Sequence, residues 1–93
     1  MQINLAWTSH STNEAGFHVY RSVDGAPSAV LHDVGAGVVT DVDTDVAEGH
    51  TYLYSVTAFN SAGESAHSND VTVTIPVTVV VPDAPSDLTA TLA

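Results

Sequence analysis

The chain contains no cysteine and no lysine, and its only base is Arg21. Each absence closes off a class of explanation. Without cysteine there is no disulfide staple and no thiolate chemistry, and the redox compartment leaves no mark on the sequence. One base against eleven acidic residues gives a formal charge of −10. That balance speaks against nucleic acid or an anionic membrane as partner, since both are bound through clusters of Lys and Arg. Helical periodicity is missing, and the longest apolar stretch, residues 77–81, is far too short to cross a bilayer. The chain opens directly in strand-like sequence, with neither the basic start nor the apolar run of a signal peptide.

What is present is alternation. The 93 residues suit one domain with one small core, and the 44% of apolar residues are mostly Val and Ala, with Trp7 and three Tyr as large anchors. Ile3, Leu5 and Trp7 alternate with Asn4 and Ala6, and Phe17, Val19 and Arg21 alternate with His18 and Tyr20. After the Asp24-Gly25 turn, residues 29–31 form a short third strand and residues 38–42 a fourth beyond Gly35-Ala36-Gly37. Tyr52, Tyr54, Val56 and Ala58 give the strongest strand signal, and residues 60–64 read as a glycine-bearing loop. Val71, Val73 and Ile75 begin a last long strand whose apolar parity runs on through Val77, Val79 and Val81, interrupted by Pro76. Beyond Pro82 and Pro85, Leu88, Ala90 and Leu92 alternate with Thr89 and Thr91 in a final strand. Seven short strands with regular turn signals predict an all-β, antiparallel sandwich.

Four segments carry a family resemblance. Asn13-Glu14-Ala15-Gly16-Phe17-His18-Val19-Tyr20-Arg21-Ser22 resembles the third strand of bacterial extracellular fibronectin type III modules, and Val46-x-x-Gly49-x-x-Tyr52-x-Tyr54-x-Val56-x-Ala58 resembles their tyrosine corner and sixth strand. Asn60-Ser61-Ala62-Gly63-Glu64-Ser65 with Ser68-Asn69 resembles the loop into their last strand. Pro82-Asp83-Ala84-Pro85-Ser86-Asp87-Leu88-Thr89-Ala90 resembles their opening strand, here placed at the C-terminus. Val46 stands where the family usually has Leu. The resemblance implies an immunoglobulin-like sandwich in which Trp7, Tyr52, Tyr54 and Val56 are core residues. It also implies that the Tyr52 hydroxyl folds back onto the preceding turn.

The displaced strand sets the expected organisation: residues 1–75 a sandwich lacking its first strand, 76–84 an extended connector, and 85–93 a first strand donated to another copy or belonging to a next module. The opening and last strands of this fold run in the same sense, so self-closure needs a return over the whole domain. Nine connector residues reach at most about 30 Å, and eight-residue strands span about 26 Å. Donation needs no return. Leu88, Ala90 and Leu92 would then be the assembly strand of a head-to-tail homo-oligomer, a heterologous contact that does not close on itself.

Chemical candidates are thin. Asp41, Asp43 and Asp45 form a D-x-D-x-D run, but a calcium loop requires Gly where Val46 stands and a bidentate Glu where Tyr52 stands. The three carboxylates read instead as a solvated edge. His10, His18, His32, His50 and His67 are scattered without metal-ligand spacing. No G-x-S-x-G elbow is present, so neither enzyme activity nor a cofactor is expected. The leading expectation is a non-catalytic structural module assembling by C-terminal strand donation into an extracellular or cell-surface fibre. The alternative is a spacer of a secreted carbohydrate-active enzyme or adhesin, since modules similar to these commonly space such domains. Loops 11–16 and 60–64 would be where a carbohydrate or protein ligand is met.

Overall fold

The computed structural model describes residues 1–78 and 81–92. Val79 of the expected apolar alternation, Val80 of the apolar run and Ala93 of the last segment lie outside the described residues.

The described residues contain seven strands and no helix: β1 (Ile3–Ala6), β2 (Gly16–Val23), β3 (Ala29–Gly35), β4 (Thr40–Asp43), β5 (Thr51–Asn60), β6 (Gly63–Glu64) and β7 (Val71–Thr74). β1 and β4 form a two-stranded sheet. A larger sheet has the order β3-β2-β5-β6, with β7 also on β5, and every pairing is antiparallel. Period-two side chains make this a sandwich: Ile3, Leu5 and Trp7 from the small sheet face Phe17, Val19, Tyr52 and Tyr54 from the large one. Val19 is fully buried and Phe17 is 3% exposed, with the Trp7 ring edge-on to Phe17 at 5.7 Å between centroids. Tyr52, Tyr54 and Ile3 form the other half of the core, with Leu5, Val23, Leu31, Val46, Val73 and Ile75 packed around them.

The turns follow local chemistry. Asp24 and Gly25 both take positive φ, and the Ala26 N–H donates to the Val23 carbonyl at 3.0 Å, the mirror-image turn that suits strand twist. The Asp24 carboxylate then accepts from the Thr51 amide at 2.8 Å, tying this turn to the start of β5. Gly16 has a steric duty: a methyl group there would collide with the Val34 carbonyl oxygen of β3 and crowd the Phe59 ring.

Five strand assignments differ from the expectation, each for a physical reason. The third strand runs past the expected 29–31 to Gly35, because residues 32–35 continue to pair with Val19 back to Gly16 of β2. The fourth strand lies at Thr40–Asp43 and not 38–42, and its parity is inverted: Asp43 points inward at 1% exposure while Val42 points out. The interior offers Asp43 a cation and a phenol, which outweighs the apolar preference of Val42 for burial. Residues 60–64 are only partly loop, because Gly63 and Glu64 pair back onto Phe59 and Asn60 as β6. β7 stops at Thr74, since Pro76 has no N–H to give. Finally, residues 85–92 form no strand within one chain, and Leu88 and Leu92 are 96% and 102% exposed. The sandwich of a single chain therefore has seven strands only by counting β6, and none of them comes from the C-terminal segment.

Two of the expected core residues are also less buried than expected. Tyr52 and Tyr54 are buried, but Trp7 and Val56 are only half-buried. Both line the open groove beside β1, where the small sheet ends.

Candidate functional site

Among the described residues the small sheet has two strands, β1 and β4. The Trp7 N–H donates to the Val39 carbonyl at 2.9 Å, so Trp7, and by alternation Leu5 and Ile3, direct their main-chain groups toward β4. Asn4 and Ala6 therefore turn theirs to the opposite, unpaired edge. Beside that edge lies an open groove of about 660 Å³, walled by Asn4, Ala6 and Trp7 on one side and by Tyr54, Val56 and Val71 on the other. The Trp7 indole N–H is buried there without an acceptor among the described residues, a state that costs free energy and marks an unfinished part of the interior.

The chain leaves the sandwich at one pole. Ile75 still pairs, donating its N–H to the His50 carbonyl at 3.0 Å and accepting from Gly49 at 2.8 Å. The Thr78 N–H reaches a Glu48 carboxylate oxygen at 3.3 Å. The start of β1 is at this same pole, because Ile3 is opposite Asp43. The far pole carries the Trp7 end of the groove, with residues 8–15 and 61–62. Among the described residues from 81 to 92 every position is exposed, and the one side-chain hydrogen bond is local, from Ser86 to Asp87.

The three aspartates do not converge. Asp43 accepts from Arg21 Nη1 at 3.2 and 3.0 Å, from the Tyr54 hydroxyl at 2.6 Å and from the Asp45 amide at 3.0 Å. Asp41 faces His32 of β3 at 2.6 Å, and Asp45 lies past the strand end with its carboxylate 3.5 Å from Arg21. The expectation of a solvated carboxylate edge fails at Asp43, because alternation sends it inward to the only guanidinium of the chain. Burial alone would raise the Asp43 pKa, but the hydrogen bonds from Tyr54, Arg21 and the Asp45 amide outweigh it and hold the carboxyl below its ordinary value. Burial first, and then Asp43, push the Tyr54 hydroxyl well upward, so it stays a donor. The sequence did hold a signal for this network: Arg21 shares parity with Phe17 and Val19, and a cation on a core face needs a buried counter-charge.

The outer face of the large sheet holds a second polar cluster that sequence reasoning missed. Glu64 accepts from Thr57 at 2.9 Å and from the Tyr20 hydroxyl, while His18 stacks on Phe59 at 4.0 Å and pairs with Asp33. Thr57 is 1% exposed beneath this cover. Ser55 Oγ lies 2.8 Å from His67 Nδ1. Ser55 is itself buried, and no carboxylate hydrogen-bonds His67 among the described residues, so the pair lacks both access and an orienting acid. Tyr52 accepts a hydrogen bond from the Ala47 N–H at 2.9 Å, placing its hydroxyl on the turn that precedes β5.

No protein-family model matches the sequence, and no curated protein matches it. Among solved structures, one titled "Myokine structure" superimposes with a TM-score of 0.66 at 18% identity, covering 82% of this chain and 83% of that one. At that identity the likeness speaks for the fold alone: the chain is an all-β antiparallel sandwich.

Proposed function

We propose that this chain is a non-catalytic structural module, akin to bacterial extracellular fibronectin type III domains, which assembles head to tail by strand donation. Residues 85–93 of one copy fill the open strand position beside β1 of the next. The observation that supports this reading is that one chain holds both an open groove beside β1 and a C-terminal segment exposed at every described position. The groove beside Asn4, Ala6 and Trp7 exposes main-chain edge and core side chains. Leu88 and Leu92 meanwhile stand in solvent. Each leucine gains roughly 1.5–3 kcal/mol on burial, and backbone pairing sets the register. The departure of the chain beyond Ile75, at the pole opposite the Trp7 end of the groove, favours a neighbour over self-closure, because the incoming strand must start at that far pole. Such a contact is heterologous and propagates into a fibre.

Light scattering across a concentration series tests the proposal. The expected outcome is a mass that climbs with concentration beyond the dimer. A strict monomer at millimolar concentration removes the idea.

A further inference from the structure

We infer that the donated segment pairs with β1 of its neighbour in one antiparallel register, Thr89 opposite Ala6 and Thr91 opposite Asn4. Leu88, Ala90 and Leu92 then turn inward beside Trp7, Leu5 and Ile3. This inference rests on the proposed assembly and specifies its joint. Four considerations fix it, the second of them supplied by the assembly itself.

The first is the hydrogen-bonding phase of β1. Trp7, Leu5 and Ile3 are committed to β4, so only Asn4 and Ala6 have main-chain groups free for a new strand. The second is direction. A segment arriving from the exit pole of one copy meets the far pole of the next and runs from Trp7 toward Ile3, antiparallel to β1. The third is parity. A slip by one residue would turn Thr89 and Thr91 into the groove and put both leucines in solvent. This restricts the register to steps of two.

The fourth consideration selects among those steps. The groove runs from Asn4 to His10 along one wall and from Val71 to Ser68 along the other, so its free volume flanks Trp7. Toward the exit pole the lining of the groove ends at Asn4, while Val73 and Ile75 pack against the cluster of Ile3, Tyr52 and Tyr54. Leu88 therefore belongs beside Trp7. Shifting two residues one way places Leu92 beside Met1, outside β1, and leaves the Trp7 end open. Shifting two residues the other way places Leu88 beside Ser9, again beyond β1. Asp87 agrees with the chosen register, since its φ of 60° breaks an extended chain and starts the ladder at Leu88. Five residues, 88–92, then lie against the five from Ile3 to Trp7. The strand also closes over the indole of Trp7, whose N–H has no acceptor among the described residues.

The absence of cysteine makes the register directly readable. Positions 4, 6, 89 and 91 are all exposed in the lone chain, so a cysteine at any of them leaves the sandwich undisturbed. Directly opposed residues of a hydrogen-bonded antiparallel pair have Cα atoms about 5.5 Å apart, within disulfide reach, whereas diagonal neighbours at roughly 7–8 Å are not. Full-length chains carrying Ala6→Cys are mixed with chains carrying Thr89→Cys, and Asn4→Cys chains with Thr91→Cys chains. Both mixtures are oxidised under conditions where light scattering shows assembly. Each should give a disulfide-linked dimer at least tenfold faster than the diagonal mixtures Ala6→Cys with Thr91→Cys and Asn4→Cys with Thr89→Cys. If the mass rises but the diagonal mixtures link faster, or none links, the register is wrong while the assembly stands. If the mass never rises, the assembly fails and the register falls with it.

Discussion

Arg21 Nη1 touches both carboxylate oxygens of Asp43, at 3.2 and 3.0 Å, across the gap between the two sheets. The only permanently charged cation of a chain with formal charge −10 is thus spent inside, on a carboxylate 1% exposed. Removing one partner leaves the other charge buried and unpaired, which costs about 3–5 kcal/mol. Arg21→Met should lower the unfolding free energy by that amount, a large share of the roughly 5–15 kcal/mol of an ordinary domain. Asp43→Ala should cost nearly as much, and the double variant less than the sum of the two. Urea titrations of the three variants measure this. A loss below about 1 kcal/mol for Arg21→Met would show the pair to be energetically idle.

The same carboxylate predicts how acid acts on the fold. The Asp43 carboxyl is held below its ordinary value of 3.8. A carboxyl depressed by folding adds stability at every pH above its unfolded value, and that contribution is lost as pH falls through the lower folded value. Asp24, held down by the Thr51 amide and His50, and Glu64, held down by Tyr20 and Thr57, shift in the same direction. Stability should therefore drop progressively below about pH 4. In Asp43→Asn the acid limb should be shallower, although the plateau is lower throughout. Thermal melts from pH 7 to pH 2 check the slope, and an unchanged slope in Asp43→Asn would assign the acid sensitivity elsewhere.

Tyr52 supports a corner rather than a charge. Its hydroxyl accepts from the Ala47 N–H, and without it that amide loses its partner beside Val46, which packs on the core. Ala47 is exposed, so its amide can turn to water, and Tyr52→Phe should cost about 0.5–1.5 kcal/mol, the net worth of one hydrogen bond. Amide exchange at Ala47 should accelerate more than exchange in β2. Equal acceleration everywhere would point to a global loss instead of a local one.

Alternation was enough to place β1, β2, β5 and the start of β7, because their apolar parity is regular and one face of each is covered. It misled at β4, where Asp43 and not Val42 turns inward, since period-two reading ranks side chains by apolarity and is blind to a buried partner. Arg21 carried the missing clue through its shared parity with Phe17 and Val19. The outer-face cluster of Tyr20, Thr57, Glu64 and His67 was illegible because it depends on residues 65–68 running beside β5. There the Ser65 and Ser68 hydroxyls accept from the Ala58 and Val56 amides at 2.9 Å each. The groove was legible as an expectation from the displaced strand. Its walls were not, because they depend on which edge of β1 is paired.

Leu88 and Leu92 separate assembly from folding. Both are fully exposed in a single chain, so Leu88→Ala and Leu92→Ala should leave monomer stability within about 0.5 kcal/mol of the parent. Each should weaken association by roughly 10- to 100-fold, in line with about 1.5–3 kcal/mol per buried leucine. Leu88→Asp should abolish it. Equilibrium sedimentation gives the association constants and urea titration the stabilities. Equal association by Leu88→Asp and the parent would refute strand donation.

Charge predicts the salt dependence of that association. Copies carrying a formal charge of −10 each must approach end to end, and the connector brings Asp83 and the donated segment Asp87 with them. Self-repulsion opposes the joint at low ionic strength and fades as the Debye length shrinks from about 10 Å at 0.1 M to about 3 Å at 1 M. Assembly should therefore strengthen with added sodium chloride, opposite to the weakening expected of a joint held by ion pairs. Trp7 reports it without a label, being the only tryptophan and walling the groove. As salt or protein concentration rises, its emission should shift to the blue when the incoming strand covers the ring. Leu88→Asp should show no shift. A blue shift in Leu88→Asp equal to that of the parent would mean that salt tightens the lone sandwich and that the groove stays empty.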